Sequence, residues 1–250
     1  MKRIRLLDEL RGITLISMIL FHTVWDLVFI FHMNWEWFYT PIAYVWQQSI
    51  CWVFIFLSGF CWSLGRRKLR RGITVSVAGV IVSLVTELVT PNQRVRFGVL
   101  TLLGICMLVM IPLEKLLKKV SAAVGLAGSI ICFVLTRNIN DGYLGFEGIN
   151  ILKLPEGWYH MGDVASLLGF TDTSFYSTDY FSVVPWIFLF VAGYFGYRLA
   201  VENGLLEGMR NLHIPGKIWG VIGKQSLIIY MLHQPIIYLG LHLLTRIMLL

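Results

Sequence analysis

Charge is scarce in this 250-residue chain: 14% of its residues are Asp, Glu, Lys or Arg, while 57% are hydrophobic. A soluble domain is about one-quarter charged. So little charge cannot cover a water-facing surface, and the surplus apolar surface must face lipid. Cysteine is also sparse. Cys51, Cys61, Cys106 and Cys132 all fall in apolar runs and no pair has metal-ligand spacing, which predicts packing thiols and no metal site. No internal repeat is visible, which counts against an inverted-repeat transporter. The opening MKRIRLLDELRG is interrupted by Asp8 and Glu9, and no small-x-small cleavage site follows, so the first apolar run reads as an uncleaved helix. The net charge of +7 comes without the basic and aromatic surface that binds single strands, which puts nucleic acid aside as a partner.

What the chain has is long apolar runs. Seven stretches, 12–32, 42–64, 73–90, 97–114, 120–136, 183–201 and 226–248, lie near the roughly 20 residues that a bilayer needs. The runs 73–90 and 120–136 are short. Lysine and arginine set the orientation. Sixteen of the 21 basic residues fall on one side, around 2–11, 66–71, 115–119 and 198–224, which makes that side cytoplasmic. The N-terminus is then inside and the C-terminus outside. The segment 137–182 is the one long connection, on the outer side. Its many glycines suit a loop, and its aromatics, from Tyr143 to Tyr180, argue for a folded cap. The expectation is an all-α integral membrane protein in the cell membrane. It has a single domain over 1–250, about seven transmembrane helices and an extracytoplasmic cap loop. Segment 202–217 reads as a short cytoplasmic connection, with Pro215 and Gly216 turning into the next element.

Ionisable groups inside a span are costly and usually mark function. His22 and Asp26 are one helical turn apart on the first span and share a face. A carboxylate beside a histidine fixes its tautomer and raises its basicity, as a general base requires. An interhelical hydrogen bond without chemistry is the bland alternative. His32 ends the same run, followed by Asn34, Trp35, Glu36 and Trp37, and by position alone it is equally an interface residue. Gln47, Gln48 and Ser49 open the second span and suit a cavity wall or a bond across helices. Glu87, near the outer end of the third, reads either as a cavity acid or as a partner for Arg94 or Arg96. The last span carries a polar stripe of Ser226, Tyr230, His233 and Gln234, followed by Pro235, which removes a backbone bond there. These features suit an enzyme, and equally a proton-coupled transporter or binding protein with the same fold.

The opening LLDELRGITLISMILFHTVWDL resembles the first helix of two related groups of membrane acyltransferases. One is the acyltransferase-3 type. The other contains heparan-alpha-glucosaminide N-acetyltransferase and its bacterial relatives. Asp8, Arg11, Gly12 and His22 match their shared theme. Phe54, Phe56 and Gly59, RFGVLTLLG, STDYFSVVPWIFLF and IGKQSLIIYMLHQPIIYLG are similar to further segments of the second group, and together these cover roughly half the chain. Thr101 departs from the histidine of many bacterial relatives. The lysosomal enzyme's catalytic histidine falls near His32, and that enzyme has Asn where His22 stands.

The resemblance implies transfer of an acetyl group from cytoplasmic acetyl-CoA, as co-substrate and without a metal, to an extracytoplasmic sugar or amino sugar. It implies catalytic roles for His22, oriented by Asp26, or His32. Donor contacts are implied for Arg11, Ser226, Tyr230, His233 and Gln234, and acceptor contacts for Gln47, Glu87, Asp179, Tyr180 and Trp186. Direct attack by the acceptor and an acetyl-histidine intermediate both remain open. The expected partners are the lipid bilayer, a CoA thioester, a glycan or amino-sugar acceptor and a second copy of the chain in a homodimer.

Overall fold

The structure, a computed structural model, describes residues 3–248. In chain order its elements are α1 (Arg5–Phe29), α2 (Pro41–Phe60), α3 (Lys68–Val89), α4 (Val99–Leu117), α5 (Ala122–Leu135), β1 (Tyr143–Phe146), β2 (Ile149–Lys153), α6 (Asp163–Leu168), α7 (Val183–Glu202), α8 (Leu205–Asn211), α9 (Lys217–Lys224) and α10 (Ser226–Met248). Among the described residues six helices are long and apolar enough to cross a membrane: α1, α2, α3, α4, α7 and α10. The expected count of seven is corrected to six. The fifth run is α5, which begins at the Ser121 cap and stops at Thr136, with 14 residues. At 1.5 Å per residue it is about 21 Å long, short of a hydrocarbon core of about 30 Å. The chain is an all-α multipass membrane protein. Apolar side chains such as Leu84, Leu88, Ile236 and Leu243 stand exposed on its helices, as lipid-facing positions require.

The chain forms two compact units, 1–54 with 204–250 and 55–203. In the first, α1 and α10 run in the same direction: His22 meets His233, and Phe31 meets His242. The start of α2 returns along α1, where the Trp46 indole donates to Ser17 Oγ at 2.8 Å. The short α9 crosses the first turns of α1 at backbone contact. A Cβ on Gly12 would lie 2.1 Å from the Trp219 carbonyl oxygen, and one on Gly223 would lie 1.8 Å from that of Asp8. Only glycine allows such an approach. Glu9 is buried and accepts from the Ile214 backbone N–H at 2.8 Å, which ties the α8–α9 turn to α1.

In the second unit, neighbouring helices alternate in direction. Gly79 packs against Thr101 and Gly104 against Ser76, so α3 and α4 are antiparallel. Gly125 meets Phe195 and Phe133 meets Trp186, so α5 and α7 are antiparallel as well. One end gathers basic groups: Lys68 pairs with Glu114 at 2.6 Å, and Arg198 donates to the carbonyls of Leu117 and Val120 at 2.9 and 2.8 Å. The segment 137–182 is folded, as expected, and it contains an antiparallel hairpin that was not expected. Buried Asn138 holds the hairpin turn through its amide, which donates to Glu147 O, Ile149 O and Asn150 Oδ1. The Tyr159 and Tyr180 hydroxyls donate to the backbone carbonyls of Ile139 and Ser166.

Candidate active site

A buried polar cluster of the first unit lies between α1 and α10. On α1, His22 and Asp26 share a face, as one turn of helix dictates. On α10, Tyr230, His233 and Gln234 turn toward them. The His22 and His233 ring centroids are 5.0 Å apart, and the Tyr230 ring is 5.2 Å from that of His233. Gln234 Nε2 donates to Asp26 Oδ1 at 2.7 Å. Asp26 is fully buried. The carboxylate expected to orient His22 is therefore held by Gln234, and the ring beside His22 is a second imidazole. The sequence offered both groups, since His-Gln interrupts the apolar run of α10, but the pairing between helices 208 residues apart is visible only in three dimensions.

Three buried polar atoms of this cluster have no hydrogen-bond partner: Asp26 Oδ2, Gln234 Oε1 and His233 Nε2. Their chemistry is fixed by the bonds their groups do make. A carboxylate oxygen can only accept from the Gln234 amide, which forces the amide nitrogen toward Asp26 and leaves Oε1 as a bare acceptor. His233 Nδ1 lies 2.5 Å from the Tyr230 carbonyl oxygen. A carbonyl only accepts, so Nδ1 carries the hydrogen, and a neutral His233 has its lone pair on Nε2. All three orphan atoms are thus acceptors. Leaving buried polar groups unpaired costs about 1–3 kcal/mol each, so the cluster calls for a donor-rich guest.

His32 is exposed just past the end of α1, with φ 55°, a left-handed conformation that lets Met33 N–H return to Leu27 O. Arg11 lies in the second turn of α1, with Nη1 3.9 Å from Asp8 Oδ1, while Arg3 Nε reaches Asp8 Oδ2 at 2.5 Å. Ser226 begins α10. Gln47 is exposed on α2. Glu87, Asp179, Tyr180 and Trp186 belong to the second unit. Glu87 is half exposed and pairs with Arg94 at 3.6 Å. Asp179 Oδ2 lies against Gly98. Burial pushes the Tyr180 hydroxyl above the ordinary tyrosine range. Trp186 is buried under the Arg137 guanidinium, 5.1 Å from its ring centroid. Among the described residues no group of three or more His, Cys, Asp or Glu is placed to hold a metal ion.

The sequence profile of a family described as "Heparan-alpha-glucosaminide N-acetyltransferase, catalytic" matches residues 3–235. No curated protein and no solved structure matches the chain.

Proposed function

Because the chain belongs to the heparan-alpha-glucosaminide N-acetyltransferase catalytic family, we propose that it is a multipass acetyltransferase that moves an acetyl group from cytoplasmic acetyl-CoA to a sugar or amino sugar on the far side of the membrane. The observation that carries this reading is the α1–α10 cluster, with two imidazoles and three unpartnered acceptors. Acetyl transfer from a thioester needs a group that takes the acceptor's proton, worth about 10²–10⁴ in rate, and a frame that holds both reactants. The His22–His233 pair is proposed for the first role. Asp26 and Gln234 are proposed to fix the frame. His32, at the outer end of α1, is proposed to contact the acceptor. Arg11, at the opposite end, is proposed to meet the CoA phosphates, which suit an always-charged guanidinium. Ser226 and Tyr230 are proposed for the donor, and Gln47, Glu87, Asp179, Tyr180 and Trp186 for the acceptor. The profile match runs through both compact units, which supports one domain.

The proposed orientation has the N-terminus in the cytoplasm and the C-terminus outside. The basic residues in the segments 2–11, 66–71, 115–119 and 198–224 support it, because lysine and arginine are enriched on the cytoplasmic side.

The test is the release of CoA thiol from acetyl-CoA by the purified protein in nanodiscs, with and without glucosamine. Acceptor-dependent release with formation of N-acetylglucosamine is expected. No acetylated product with any amino sugar or sugar, together with proton-driven solute uptake in proteoliposomes, would replace this reading with the transporter.

A further inference from the structure

We propose that His233 is the catalytic base of this transfer and that it takes the acceptor's proton on Nε2. The proposal rests on the acetyltransferase reading of the chain and adds to it the identity of the working nitrogen. Three observations converge. The Tyr230 carbonyl lies 2.5 Å from Nδ1 and holds that nitrogen as the donor, so the tautomer is set by the α10 backbone itself. The other nitrogen, Nε2, is buried and has no partner. The His22 ring is 5.0 Å away, and the bond from Gln234 to Asp26 ties the next residue of α10 to the same face of α1. A base must present a lone pair at a defined place, away from competing donors. His233 meets that requirement with atoms of its own helix, and no carboxylate is needed to orient it. Gln234 and Asp26 act as positioning residues, fixing how α10 faces α1.

The acceptor's N–H or O–H bond breaks and its proton moves to Nε2. The freed electron pair forms the bond to the acetyl carbonyl carbon. The carbon–sulfur bond breaks, and the departing thiolate takes a proton back from the imidazolium. Free CoA thiol and neutral His233 remain, together with the acetylated acceptor.

His233→Asn and His233→Gln separate the two nitrogens. Asn keeps a donor for the Tyr230 carbonyl and removes the lone pair, whereas Gln puts an amide near the Nε2 position. Single-turnover transfer from acetyl-CoA to glucosamine would be measured in nanodiscs for both variants and for His22→Asn, alongside acetyl-CoA affinity. We expect His233→Asn to lose on the order of a hundredfold or more in rate with donor affinity kept. His22→Asn should slow transfer less than His233→Asn does, because the His22 ring stands beside the base while the proton goes to His233 Nε2. A His233→Asn rate within a few-fold of the unmodified protein would overturn the assignment and leave the acetyltransferase reading standing. Absence of transfer by the unmodified protein would instead remove that reading, and the role of His233 with it. Nitrogen-15 NMR of histidine-labelled protein, assigned by loss of signal in His233→Asn, reads the tautomer without any turnover. A protonated Nδ1 and bare Nε2 are expected at His233, and the opposite tautomer refutes the proposal.

Discussion

Replacing Gln234 with Leu removes the donor that Asp26 has among the described residues, and the carboxyl group then has two buried unpartnered oxygens instead of one. Two magnitudes bear on the cost. Hydrogen bonds between helices in a membrane average only ~0.6 kcal/mol, with a ceiling near ~1.7, because the separated helices also find partners. Orphaning a fully buried acceptor adds its desolvation, about 1–3 kcal/mol. Asp26 is fully buried, so the second effect should dominate and Gln234→Leu should cost about 2 kcal/mol. Asp26→Leu alone orphans the Gln234 amide, which is neutral and sits on a partly exposed residue, so it should cost less. Changing both to Leu removes donor and acceptor together. The double variant should therefore recover stability relative to Gln234→Leu, giving a coupling of about 1 kcal/mol or more. Equilibrium unfolding in mixed detergent micelles, followed by tryptophan fluorescence, measures each term. Additive costs would show that the bond contributes nothing and that the site is not built around it.

Further outcomes follow from particular contacts. Gly223→Ala places a methyl group 1.8 Å from the Asp8 carbonyl oxygen and should lower the unfolding temperature or abolish folded protein, whereas Gly240→Ala, with nothing within 4 Å, should leave it unchanged. His32→Gly should stabilise the turn that ends α1, because the native histidine already bears the left-handed cost of about 1–2 kcal/mol, and the β-branched His32→Val should destabilise it in the same assay. The pair thus separates a backbone role from an imidazole role. In segment 137–182, the Ser174 backbone N–H, and after it the His160 side chain, hold the Asp172 carboxyl below its ordinary range. A lowered pKa contributes stability that is present above the unfolded value, about 4, and is lost as pH falls through the folded one. Hydrogen exchange at the Ser174 amide should accelerate below that value relative to neighbouring amides. Asp172→Asn should remove this pH dependence, and an identical profile in the variant would count against it.

The spanning helices were legible because lipid imposes one local rule: about 20 apolar residues in a row. α1, α2, α3, α4, α7 and α10 follow it. α5 does not, because its cap and its exit at Thr136 shorten a run that composition alone extends to 120–136. The β1–β2 hairpin was not legible, because four and five residues among glycines carry too little periodicity. It depends on the Asn138 side chain bridging residues 9 to 12 positions away. At the site, the shared face of His22 and Asp26 followed from helix geometry. The choice of partner did not, because Gln234 and His233 approach from the far end of the chain and compete successfully for both α1 groups.

Transfer across the membrane at the α1–α10 cluster can be followed in sealed vesicles that contain the protein in one orientation, with glucosamine enclosed and radiolabelled acetyl-CoA supplied only at the face bearing the basic helix ends. Labelled N-acetylglucosamine is expected inside the vesicles, and none when donor is supplied from the other face. Labelled product that forms only when donor and acceptor share a face, or none at all, would contradict it.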